Sequence, residues 1–93
     1  MPTVHRYGNL RFVVFFNDHD PPHVHVFSGS GEAKVLLGSP GVSPSIEWAR
    51  RFNRPTLRKI LLETMTHRAR LLWAWHSVHG EERHAANAEG IDC

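Results

Sequence analysis

Apolar and polar positions alternate along the first half of the chain and recur at intervals of three and four along the second. Residues 10–17, LRFVVFFN, place Leu10, Phe12, Val14 and Phe16 on one side and Arg11, Val13 and Phe15 on the other, so a strand that is apolar on both faces is expected. Asp18-His19-Asp20-Pro21-Pro22 then ends it, because a proline cannot donate to a ladder and restricts the residue before it. Alternation resumes over residues 23–28, with Val24 and Val26 on one face and His23, His25 and Phe27 on the other. Ser28-Gly29-Ser30-Gly31 signals a turn. Residues 32–37 give a third strand, Ala33, Val35 and Leu37 alternating with Lys34 and Leu36, and Gly38-Ser39-Pro40-Gly41 closes it. Residues 42–48 supply a short fourth strand interrupted by Pro44.

From Pro55 the period changes. Pro55 suits the first position of a helix behind Asn53 or Arg54, and Leu57, Ile60, Leu61, Thr64 and Met65 mark one helical face. Leu71, Leu72, Trp75 and Val78 continue the stripe to Gly80, a natural stop. Arg68 falls where that stripe wants a hydrophobe and Thr66 can cap a new helix, so a break is expected near Thr66-His67. Beyond Gly80 there is no apolar periodicity, and residues 81–93 read as a frayed, disordered acidic tail. The expected architecture is one α+β domain over residues 1–80: a small antiparallel sheet of three to four strands, then one or two C-terminal helices packed on it.

A chain of 93 residues has room for a single domain. No apolar run approaches the roughly 18 residues of a membrane span. The first six residues lack the basic and apolar segments of a secretory signal, and Cys93, the single cysteine, excludes a disulfide framework or a cysteine-based zinc cluster. A cytoplasmic protein with no membrane partner is therefore expected. The formal charge of +2 conceals a polarity, because residues 48–76 set Arg50, Arg51, Arg54, Arg58, Lys59, Arg68 and Arg70 against Glu63 alone, a local +6. Residues 77–93 reverse it to −3. Eight histidines add charge that is adjustable near neutral pH.

Asp18, His19, Asp20, His23 and His25 make the densest group of reactive side chains. His23 and His25, two apart on a strand, leave the same face, and Asp18 and His19 sit at the turn before it. Such a set can act as general acid and base in phosphodiester cleavage, and Arg11 and Lys34, if they share that face, can stabilise an anionic transition state. The same residues can equally well hold a hairpin corner by bonding turn amides. A divalent ion on His19, His23 and His25 is a further alternative, but the spacing matches no zinc signature, so no cofactor is expected. In the run WARRFNRPTLRK, Arg50, Arg51, Arg54, Arg58 and Lys59 can bind phosphates while Trp48 and Phe52 offer stacking surfaces, the pattern of a nucleic-acid contact. An acidic protein partner, or a merely solvated helix face, fits the same residues. Trp75 reads as core, with His76 and His79 favoured near the end of a helix.

The motif Phe16-Asn17-Asp18-His19-Asp20-Pro21-Pro22-His23-Val24-His25-Val26, after an N-terminal strand and before Ala33-Lys34-Val35, Ile46-Glu47-Trp48 and the helix closing at Gly80, resembles the bacterial domain of unknown function 4160 family. The resemblance spans nearly the whole chain to Gly80 and carries over to Asp18, His19, Pro21, Pro22, His23 and His25. It implies a toxin–antitoxin setting, with an antitoxin-like partner often encoded beside it, and no settled activity. Two readings follow. In one, a toxin–antitoxin-type protein binds RNA or a ribosomal surface, and in its ribonuclease version His19, His23 and His25, flanked by Asp18, cleave RNA with Arg11 and Lys34. In the other, a non-enzymatic module docks an acidic partner and the histidine motif is scaffold.

Overall fold

The computed structural model describes residues 3–15, 17 and 19–86, with 80–86 described by their backbone alone. Five strands, β1 (Thr3–Tyr7), β2 (Leu10–Val13), β3 (His23–Ser28), β4 (Gly31–Leu36) and β5 (Ser45–Arg50), precede two helices, α1 (Arg54–Thr66) and α2 (Arg68–Ala86). Every strand pairs antiparallel with the next one in the chain, so the sheet is a meander in the order β1-β2-β3-β4-β5 and the fold is α+β. Two-residue turns join β1 to β2 and β3 to β4, with Gly8 at φ 61° and Gly29 at φ 58°, a left-handed conformation that a side chain would strain.

The sheet thus has five strands, not three or four. β1 offers little alternation to read, because Val4 is its one aliphatic residue and a bulge between Thr3 and His5 breaks the period. β2 is shorter than residues 10–17 suggest. It ends at Val13, and Phe15 packs its ring edge-on against His25 at 4.9 Å instead of extending the ladder. Phe16 and Asp18 lie outside the described residues. The last strand starts after Pro44 and runs on to Arg50, which places both Trp48 and Arg50 in the sheet.

One face of the sheet carries Phe12, Val24, Val26, Ala33 and Val35, all fully buried under Ile60 of α1 and Leu71 and Trp75 of α2. Asn53 caps α1, its side-chain oxygen accepting from the Thr56 N–H at 2.9 Å, with Pro55 in the first turn. Replacing Asn53 by Ala is expected to destabilise the fold by about 1 kcal/mol. That would appear as a lower urea midpoint with an unchanged slope.

The two helices part at His67, as the interrupted stripe suggests, but Thr66 closes α1 instead of capping α2: its hydroxyl donates to the Leu62 carbonyl at 2.8 Å. Arg68 stands in place of a hydrophobe because its Nε donates to the Leu37 carbonyl at 2.7 Å, satisfying an acceptor just past the end of β4. Met65, expected on the buried stripe, is 52% exposed; Ile60 and Thr64 are the buried residues of α1. Nor does Gly80 stop α2, which continues through the good helix formers Glu81, Glu82 and Arg83 to Ala86. The rest of the acidic tail, residues 87–93, lies outside the described residues. No helix among the described residues is long and apolar enough to cross a membrane.

Candidate functional site

Strand register decides which side chains share the face turned away from the helices, because directly paired residues point the same way. Starting from β1, the pairs Arg6↔Arg11, Arg11↔Phe27, Phe27↔Glu32 and Glu32↔Arg50 form one continuous row across all five strands. A second row runs Val13↔His25, His25↔Lys34 and Lys34↔Trp48. Arg11 and Lys34 therefore do share the face of His25, as alternation suggests.

Aromatic rings and cations interleave on this face. The Arg11 guanidinium sits 5.6 Å from the centre of the Phe27 ring and that of Arg50 lies 5.2 Å from the Trp48 ring. His25 packs against Phe15, Phe27 and Trp48. Two carboxylates temper the charge: Glu32 accepts from Arg50 at 3.1 Å and lies 3.5 Å from His25 Nδ1, and Glu47 pairs with Lys34 at 3.1 Å. Trp48 remains 38% exposed on an edge strand, a large ring held open to solvent.

The strand ends next to this row lead to the helix side of the sheet, where Phe52 packs against the core. Tyr7, Leu10, Ser28 and Arg51 are the chain neighbours of Arg6, Arg11, Phe27 and Arg50, and they line a surface hollow together with Phe52, Thr56 and Lys59. Phe52 is seated there because position 31 is glycine, where a Cβ would come within 2.6 Å of its ring. Arg51, turned by a φ of 59°, and Lys59 thus place two further cations at this hollow, on the helix side of the sheet end and not in the row itself. Arg54 and Arg58 are exposed on α1. The basic run therefore divides, with Trp48 and Arg50 on the open sheet face, Arg51 and Lys59 in the hollow, and Arg54 and Arg58 on the helix.

The histidine motif divides as well. The rings of His23 and His25 are 5.3 Å apart, while His19 is exposed in the loop before β3. His23 is only 3% exposed; its Nδ1–H donates to the Pro21 carbonyl at 2.9 Å and its ring lies 5.0 Å from that of Trp75. Trp75 in turn stacks on His79 at 3.8 Å, whose Nδ1–H donates to the Trp75 carbonyl at 2.9 Å. His23 thus ties the Pro-Pro corner to α2, and His25 is the motif residue that faces the aromatic and basic rows.

Alternation in the sequence already puts Phe27 on the face of His25 and Phe15 on the side of Arg11, but marks neither as a binding residue; Arg6 does not stand out at all. Arg6 lies on a strand that leaves almost no periodic trace, and only the pairing to Arg11 brings it in.

A protein-family model described as "Domain of unknown function (DUF4160)" matches residues 9–76, from the start of β2 to the middle of α2 and including the histidine motif. No curated protein and no solved structure matches the chain.

Proposed function

Since the chain belongs to the DUF4160 family, whose description carries no activity, we propose a function from its own surface: it binds single-stranded RNA across the open sheet face, as part of a toxin–antitoxin-type pair. The observation that supports this reading is the row from Arg6 to Arg50 with Phe27 and Trp48 set among its cations. Unstacked bases gain free energy on aromatic rings, and arginine forks bind the phosphates between them. Trp48 and Phe27 are the stacking platforms and Arg6, Arg11 and Arg50 the phosphate contacts; Arg51 and Lys59 are cations that a longer strand would meet on passing over the end of the sheet. An antitoxin-like partner would act by covering this face.

Binding is proposed in preference to cleavage because of His23. A general acid or base must reach the scissile phosphate. His23 is buried and its Nδ1 is committed to Pro21, while His19 stands exposed in the preceding loop. His25 and Lys34 adjoin the proposed RNA path and would touch its backbone.

Fluorescence anisotropy of a labelled single-stranded RNA tests the reading. Trp48→Ala should weaken binding by about 1–3 kcal/mol, the worth of one stacked base, or roughly 5- to 150-fold. Arg50→Ala and Arg11→Ala should each flatten the dependence of log K on log salt by about 0.7. Wild-type protein with no salt-dependent affinity for RNA would end the proposal, and capture of an acidic protein on the same face would replace it.

A further inference from the structure

We propose that His5, Glu63 and His67 form a binding site for a divalent transition metal, with zinc the ion that suits them best. The three residues stand on the helix side of the sheet, away from the proposed RNA face. His5 comes from β1, paired opposite the buried Phe12. Glu63 lies in the last turn of α1, and His67 is the C-cap of that helix. One ligand atom from each residue can be chosen so that all lie within 4.8 Å of one another. Glu63 Oε2 is 2.5 Å from His5 Nε2 and 3.1 Å from His67 Nε2, and the imidazole centres are 4.4 Å apart.

Several features favour a cation at this point. Glu63 and His67 are four residues apart, the spacing that puts two ligands on one side of a helix. A helix C-terminus carries partial negative charge, so the position already favours a cation. Two imidazoles and one carboxylate are a donor set that zinc accepts, with water or another ligand completing a tetrahedron. Burial is graded in the required sense: the side chains of His5 and Glu63 are 8% and 14% exposed and that of His67 is 36%, so the fourth position opens toward solvent beside His67. The ring of Phe12, edge-on to His5 at 5.2 Å, backs the site with an apolar wall.

The metal-free hydrogen bonds show what must change on loading. Arg70 donates through Nη2 to His5 Nδ1, so His5 carries its proton on Nε2 and donates it to Glu63. To ligate through Nε2, His5 must release that proton and hold one on Nδ1, where the Arg70 donor is no longer tolerated. Arg70, exposed on α2, must therefore withdraw, and it competes with the ion by position and by charge. The His5–Glu63 pair must also spread, since bonds of about 2.0–2.2 Å put tetrahedral ligands about 3.3 Å apart. Both adjustments are side-chain rotations. The ion would fasten β1, an edge strand, to the junction of α1 and α2.

The full chain, stripped by chelator and titrated first with Co²⁺ and then with Zn²⁺, tests the proposal through the visible absorption of tetrahedral cobalt and through the melting temperature. One equivalent of metal should bind and raise the melting temperature of the wild type. His67→Gln and Glu63→Gln should each weaken binding at least about 10-fold and abolish that rise, as expected when a ligand is lost. Circular dichroism of each variant checks that it is folded. Arg70→Ala, which leaves the ligands in place, should tighten binding. No stoichiometric binding by the wild type would overturn the proposal. So would affinity retained in both ligand variants, which would send the ion to other histidines, or weaker binding in Arg70→Ala.

Discussion

Trp75→Ala is expected to be the most damaging single substitution, costing about 3–5 kcal/mol. The total stability of a domain this size is roughly 5–14 kcal/mol, so about a fifth or more of it rests on one side chain. Trp75 is 1% exposed, the largest of the fully buried side chains, and packs in one cluster with the valines of β3 and Leu71 of its own helix. Two further contacts go with the ring, the 5.0 Å approach to His23 and the 3.8 Å stack on His79. The indole nitrogen forms no hydrogen bond among the described residues, so the cost expected is that of lost packing and the cavity, with no hydrogen bond to add to it. Thermal unfolding followed by circular dichroism should show a midpoint at least about 12 °C lower. A shift of only a few degrees would mean that α2 does not hold the sheet as these contacts require.

What the sequence reveals and what it conceals divide along the range of the interactions. The third and fourth strands of the meander are legible because Val24/Val26 and Ala33/Val35 alternate cleanly between glycine and proline breaks. The break between the helices is legible because Arg68 disturbs a local period, although the Leu37 carbonyl that Arg68 satisfies lies 31 residues away. β1 is invisible for lack of apolar residues, and with it go Arg6, His5 and an entire edge of the sheet. Local spacing places His23 and His25 on one face, yet it is silent on the depth of each. The row from Arg6 to Arg50 exists only through four strand pairings, and the bond from His5 to Glu63 spans 58 residues. Neither has a signature within a window that periodicity can scan.

His23→Ala separates scaffold from chemistry in the histidine motif. The substitution deletes a ring packed against Trp75 and leaves the Pro21 carbonyl without its donor. An orphaned acceptor costs about 1–3 kcal/mol, and loss of a buried ring adds a cavity term, so a total of about 2–4 kcal/mol is expected. The chain survives at low temperature with a weakened corner at Asp20-Pro21-Pro22, while the rows carrying Phe27, Trp48 and the arginines keep their register through β2–β5 pairing. RNA affinity measured well below the new unfolding midpoint should therefore stay within about 3-fold of wild type. Urea unfolding followed by tryptophan fluorescence gives the stability, and the anisotropy assay the affinity. A variant as stable as wild type would contradict the role of His23 as the pin between the Pro-Pro corner and α2. A folded variant that no longer binds RNA would instead move the motif from scaffold into the binding site.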